Sequence, residues 1–168
     1  MFNRVMCLFV AISIFGFCAC SAKGTKQKEI SSLEKVQMEH IKTVPNLTYW
    51  ELVNELDKEY ADLHQAYIVW LNKQGVSIEG TTEKKKFPFD ECARETYARL
   101  EYIKKLVEEA SKNAETKKYD QDLIINIVYQ HLYLWLDMDK THSYRKLDKE
   151  VILKMIFINH VLSMLIEE

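Results

Sequence analysis

Residues 48–75 read TYWELVNELDKEYADLHQAYIVWLNKQG, and this stretch decides the fold. Val53, Leu56, Tyr60, Leu63, Tyr67 and Trp70 recur at spacings of 3, 4, 3, 4 and 3. With 3.6 residues per turn, that spacing lays all six side chains on one stripe of a helix. Thr48 and Glu51 form a capping-box pair: the Thr hydroxyl accepts from the backbone N–H three residues on, and the Glu carboxylate reaches back to the Thr N–H. Gly75 stands where a helix exits through a left-handed residue. The stretch therefore predicts one bounded amphipathic helix that needs other helices to cover its stripe, packed at a shallow angle.

Working outward, three more helices follow. Asp90 is positioned to cap one that carries Ala93, Tyr97, Leu100, Ile103, Val107 and Ala110 on a single face, with Glu95–Arg99 and Glu101–Lys105 as pairs four apart on its flank. The next is expected from Asp120 to about Asp137 and is apolar nearly all round, with Asn126, Gln130, Tyr133 and Asp137 as a narrow polar stripe. The last runs from Asp148 to Leu165 and is similarly apolar. A helix apolar on most sides is either central in its fold or has a partner. Residues 33–168 are thus expected to form an all-α domain, a small four-helix bundle. A weak amphipathic pattern over 30–44 (Ile30, Leu33, Ile41, Val44), stopped by Pro45, predicts a short additional helix before it. The long connection 75–89 carries Lys84, Lys85 and Lys86 beside Phe87 and Phe89. That is read as a solvated charge run with its aromatics tucked into the bundle, the alternative being contact with an anionic lipid surface.

Composition agrees: 4 Gly and 2 Pro in 168 residues are too few for the frequent turns of an all-β protein. A net charge of −2 supplies no field that would draw the chain to nucleic acid, and no recognition helix, zinc finger or RNA-binding strand is present in the sequence.

The N-terminus reads MFNRVMCLFVAISIFGFCACSAKG, with Arg4 followed by an apolar run of 15 residues from Val5 to Ala19. A membrane span wants about 20 residues, whereas a signal-peptide core is shorter. The run ends Phe17-Cys18-Ala19-Cys20-Ser21, a small residue followed by Cys, which resembles the lipobox of bacterial lipoproteins. Phe17 and Cys18 depart from that family's usual Leu and small residue. The resemblance implies that residues 1–19 are a cleaved signal peptide and that Cys20 becomes the lipidated first residue. Residues 20–32 would then be a flexible tether, with Ser21 implying the outer membrane and a domain facing the periplasm. An uncleaved inner-membrane signal anchor and ordinary secretion are the alternatives. Only Cys92 remains in the body, so the domain has no internal disulfide pair and relies on its core.

Leu132–Thr141, LYLWLDMDKT, raises the question of chemistry. An apolar run entering Asp-x-Asp-x-Thr resembles the start of a haloacid-dehalogenase-type active site. The apolar residues before Asp137 continue a helical segment, however, and the residues after it read as one loop and one helix without the further magnesium-binding motifs. A calcium loop starting at Asp137 would place oxygen side chains at Asp137, Asp139, Thr141, Ser143 and Asp148. His142 occupies the position where Gly permits the sharp turn, and Asp148 replaces the bidentate Glu. A transition-metal site from Asp137, Asp139 and His142 lacks the helical two-His spacing. The plainest reading makes Asp137–His142 a helix end and turn. His131 and His160 stand among apolar residues and read as core or groove histidines, and no cofactor or catalytic residue is expected.

Two functions remain. One is a non-enzymatic protein-binding module, whose excess apolar residues Leu132, Trp135, Leu136, Ile156 and Phe157 hold another envelope or secreted protein. In size, helical character and address the chain resembles secretin pilotins and immunity proteins. The other is a structural homo-oligomer that buries the same residues between copies.

Overall fold

A computed structural model of the chain describes residues 46–77 and 88–167. The expected signal-peptide core, Cys20, the expected tether, the 30–44 stretch and the Lys84–Lys86 run with Phe87 lie outside the described residues. Among the described residues there are four helices and no strand: α1 Tyr49–Lys73, α2 Pro88–Glu115, α3 Gln121–Tyr144 and α4 Lys149–Glu167. This is the small all-α four-helix bundle expected.

The stripe that decided the fold is its axis. Val53, Leu56, Tyr60, Leu63, Tyr67 and Trp70 are all 0 % exposed, because α1 packs against α2 on one side and α4 on the other. The capping box forms, with the Thr48 N–H donating to Glu51 Oε2 at 2.8 Å and the Glu51 N–H donating to Thr48 Oγ1 at 3.4 Å. The Thr48 backbone N–H and then the Thr48 hydroxyl, which donates to the same Oε2 at 2.7 Å, lower the Glu51 pKa. At the other end the Gly75 N–H donates to the Asn72 carbonyl at 3.0 Å and the Val76 N–H to the Leu71 carbonyl at 3.1 Å, a Schellman closure with buried Val76 as its apolar contact.

Gly75 holds φ +75°, and an added Cβ would meet nothing within 4 Å. Backbone strain alone therefore sets the cost of Gly75→Ala, and we expect about 1 kcal/mol of destabilisation, read as a lower urea midpoint. α2 ends with the same closure but with Lys117 in the left-handed position, at φ 54°. Lys117→Gly removes that strain, and an increase of about 1 kcal/mol in unfolding free energy is expected from the same titration.

Side-chain pairs fix the up-down-up-down order. Tyr67 bonds the Ala93 carbonyl and Asn54 bonds Ser111 between α1 and α2, while Lys154 reaches Glu59 and Asp62 between α4 and α1. Between α2 and α3, Arg99 bonds Gln130 and Asp137, and Thr96 meets Thr141. α3 and α4 complete the ring but approach each other least closely of the neighbouring helices. In the last turn of α1, Trp70 Nε1 donates to the Lys146 carbonyl at 3.1 Å, tying the α3–α4 connection to the core.

Four sequence expectations need correction. α2 begins at Pro88, so Asp90 lies inside its first turn rather than capping it; proline suits that first position because its missing N–H would have no helical partner. Arg99 pairs across the bundle with Asp137 instead of along its own helix with Glu95. α3 continues seven residues past Asp137, to Tyr144, because Met138 and Thr141 remain on the buried side. Phe157, expected at a binding surface, is 1 % exposed and belongs to the core. Phe89, by contrast, is tucked in as expected, against Trp70 and under the Arg145 guanidinium.

Candidate functional site

The extra length of α3 removes the loop on which the calcium reading depended. Residues 137–144 are helical, so the oxygen side chains follow a helical rather than a looped path. Asp137 is nearly buried and faces α2, accepting from Arg99 Nε at 2.5 Å and, more weakly, from Lys140 Nζ at 3.5 Å. Asp139 points to solvent, and Asp148 lies beyond the helix in an ion pair with Lys73 at 2.7 Å. Among the described residues no group of three His, Cys, Asp or Glu side chains comes together in a way that could hold a metal ion.

Asp137 instead anchors a polar clamp between α2 and α3. Arg99 donates to Asp137 and, through Nη1, to Gln130 Oε1 at 3.0 Å, and its guanidinium lies 5.3 Å from the centre of the Tyr133 ring. One turn deeper the hydroxyls of Thr96 and Thr141 meet at 2.9 Å, both fully buried, each also within reach of the carbonyl four residues back in its own helix. Buried hydroxyls satisfied in this way add directionality to an otherwise apolar contact.

On the opposite flank of α3 lies a second buried polar cluster. His131 is 0 % exposed, with Nδ1 2.7 Å from Tyr60 Oη and Nε2 accepting from Trp135 Nε1 at 3.1 Å. An indole nitrogen only donates, so Nε2 carries the lone pair and Nδ1 the proton. Burial lowers the His131 pKa to about 3, against the Met155 carbonyl and the Asn159 side chain of α4, which favour the charged ring. The same burial holds the Tyr60 hydroxyl well above its ordinary pKa. The cluster is neutral and shut in, so it joins α1, α3 and α4 without presenting a base to solvent.

The α3–α4 seam next to this cluster is where the bundle closes least tightly. Leu132 and Trp135 of α3 and Ile152 and Ile156 of α4 are half-buried, and they lie within one turn of His131 on α3 and of Met155 and Asn159 on α4, the residues that meet across it. On α4, the Asn159 side chain faces His131, and His160 Nε2 is shielded from solvent yet meets no hydrogen-bond partner among the described residues. An unpaired buried polar atom costs about 1–3 kcal/mol, so His160 lowers the stability of α4 as the described residues pack it. Of the five residues expected at a binding surface, the structure puts Leu132, Trp135 and Ile156 on this seam, Phe157 in the core and Leu136, at 58 % exposure, on the outer face of α3.

That outer face carries Tyr129 and Tyr144, which the sequence reading missed, beside Tyr133 and Leu136, which it placed on the polar stripe and among the partner-binding residues. Of seven large apolar or aromatic side chains exposed among the described residues, four are on α3: Tyr129, Tyr133, Leu136 and Tyr144. The signal was the 4-3 spacing of Tyr129, Tyr133 and Leu136, hidden because tyrosine reads equally as core, rim or surface. Among the described residues no helix is long and apolar enough to cross a membrane. No protein-family model, curated protein or solved structure matches the chain.

Proposed function

We propose that this chain is a lipid-anchored, non-enzymatic protein-binding module of a bacterial cell envelope. It is tethered through Cys20 to the outer membrane, faces the periplasm, and holds another envelope or secreted protein along the α3–α4 seam, in the manner of a pilotin or an immunity protein. One observation carries the docking part: the loosest contact of the bundle lies beside the half-buried apolar residues Leu132, Trp135, Ile152 and Ile156. A partner segment laid there would cover the apolar atoms, recovering free energy that the isolated bundle forgoes. The address rests on the resemblance of residues 17–21 to a lipobox.

The test is site-specific photocrosslinking in the native envelope, with the crosslinker at Leu132 or Ile156 and a control at exposed Ala61 of α1. A single discrete adduct from the first two positions and none from the control is expected. Equal labelling at all three, or no adduct at Leu132 and Ile156, overturns the seam as a docking site. For the anchor, Cys20→Ala is expected to abolish labelling by radioactive palmitate, and retained label would sink the lipoprotein reading.

A further inference from the structure

The outer stripe of α3 is a separate surface, and its pattern is self-complementary. Asp122, Asn126, Tyr129, Tyr133, Leu136 and Lys140 recur at spacings of 4, 3, 4, 3 and 4, the repeat of a two-helix seam, and all but half-buried Asn126 are exposed. Asp122 and Lys140 are 18 residues apart, which is five turns, so they share one angular position about 27 Å apart along the axis. In a pair of antiparallel helices related by a two-fold axis, the numbers of facing residues add to a constant, and every contact occurs twice. With that constant at 262, Asp122 faces Lys140 of the second copy, Asn126 faces Leu136, and Tyr129 faces Tyr133. One register thus brings opposite charges together at both ends and four tyrosines together at the centre. A parallel pairing would set Asp122 against Asp122 and Lys140 against Lys140.

We propose that α3 forms the two-fold interface of a homodimer in this antiparallel register. The tyrosines are well suited to it: each is about half exposed, at 49 % and 52 %, and Tyr133 is already held under the Arg99 guanidinium, so little freedom is lost on contact. The seam between α3 and α4 remains on a different flank, so this inference stands or falls independently of the partner-binding reading.

The experiment is sedimentation equilibrium on the full-length chain in detergent, from micromolar to near-millimolar concentration, combined with a charge-reversal cycle. Dimerisation is expected, and Asp122→Lys or Lys140→Asp alone is expected to weaken it roughly tenfold, since each sets like charges together at two symmetric places. The double variant Asp122→Lys/Lys140→Asp restores opposite charges and is expected to recover affinity to within about threefold of the parent. Tyr133→Asp is expected to give a monomer throughout. Helical circular dichroism checks each fold, and Asp122→Asn, expected to weaken the dimer about twofold to threefold, serves if Asp122→Lys misfolds. A monomer at every concentration, single reversals without effect, or singles that weaken without rescue by the double variant would each overturn the proposal.

Discussion

Arg99→Met is expected to destabilise the bundle by about 2–3 kcal/mol, seen as a lower urea midpoint at unchanged slope. The reason lies in what it leaves behind. Asp137 has a side chain only 8 % exposed, and Arg99 is its principal partner, at 2.5 Å. Methionine fills similar space but offers no donor, so a nearly buried carboxylate loses its principal hydrogen-bond and charge partner, which costs free energy. Removing one member of a buried pair commonly costs about 3–5 kcal/mol. The expected value is smaller here for two reasons: Arg99 is 29 % exposed, and Lys140 lies 3.5 Å from the other carboxylate oxygen. The double variant Arg99→Met/Asp137→Leu removes the stranded charge as well, and recovery to within about 1 kcal/mol of the parent is expected, because an apolar pair can replace an ion pair in such a position. A single variant within 0.5 kcal/mol of the parent, on the order of the error of such measurements, would show that the pair does not hold α2 to α3.

This clamp also explains where the sequence could be read and where it could not. α1 was legible from end to end because every signal was local: the 3-4 stripe, Thr48 with Glu51, and Gly75 all act within one or two turns. The end of α3 was illegible because Asp137 and Thr141 look like turn residues. Their burial is decided by Arg99 and Thr96, 38 and 45 residues away on another helix. The same blindness affects the candidate site. α3 and α4 are apolar nearly all round, so periodicity cannot say which side faces inward. Phe157 and Leu136 were therefore expected together on a binding surface, although the bundle buries the first and exposes the second. The histidines were read better, since an imidazole among Leu and Ile with no second ligand at helical spacing already points inward, and His131 lies at the centre of the core.

Lowering the pH from 6.5 to 4 should cost the bundle on the order of 3 kcal/mol through His131 alone. Its pKa falls from an ordinary 6.5 to about 3 on folding, chiefly through burial. Between those values the unfolded chain binds a proton that the folded chain refuses, so stability is fully present above pH 6.5 and declines as pH falls, by about 1.4 kcal/mol per unit. The Trp135 bond gives the same sign, since a proton on Nε2 would face its N–H, donor against donor, while the Met155 carbonyl and the Asn159 side chain oppose it without outweighing burial. Glu59 works the other way. Burial first, with Glu55 and Asp62 adding to it and Lys154 opposing, raises its pKa above 4.5. The folded state therefore takes up that proton more readily, which offsets part of the loss just above pH 4.5. The diagnostic is thus a difference in slope and not the absolute curve. His131→Gln keeps an amide able to reach Tyr60 but cannot titrate; it is expected to be less stable at pH 7 and to lose about 1.4 kcal/mol per unit less than the parent between pH 6 and 4.5. Parallel stability curves for the two proteins across that window would mean that His131 is protonated inside the fold, and the buried neutral cluster joining α1, α3 and α4 would have to be abandoned.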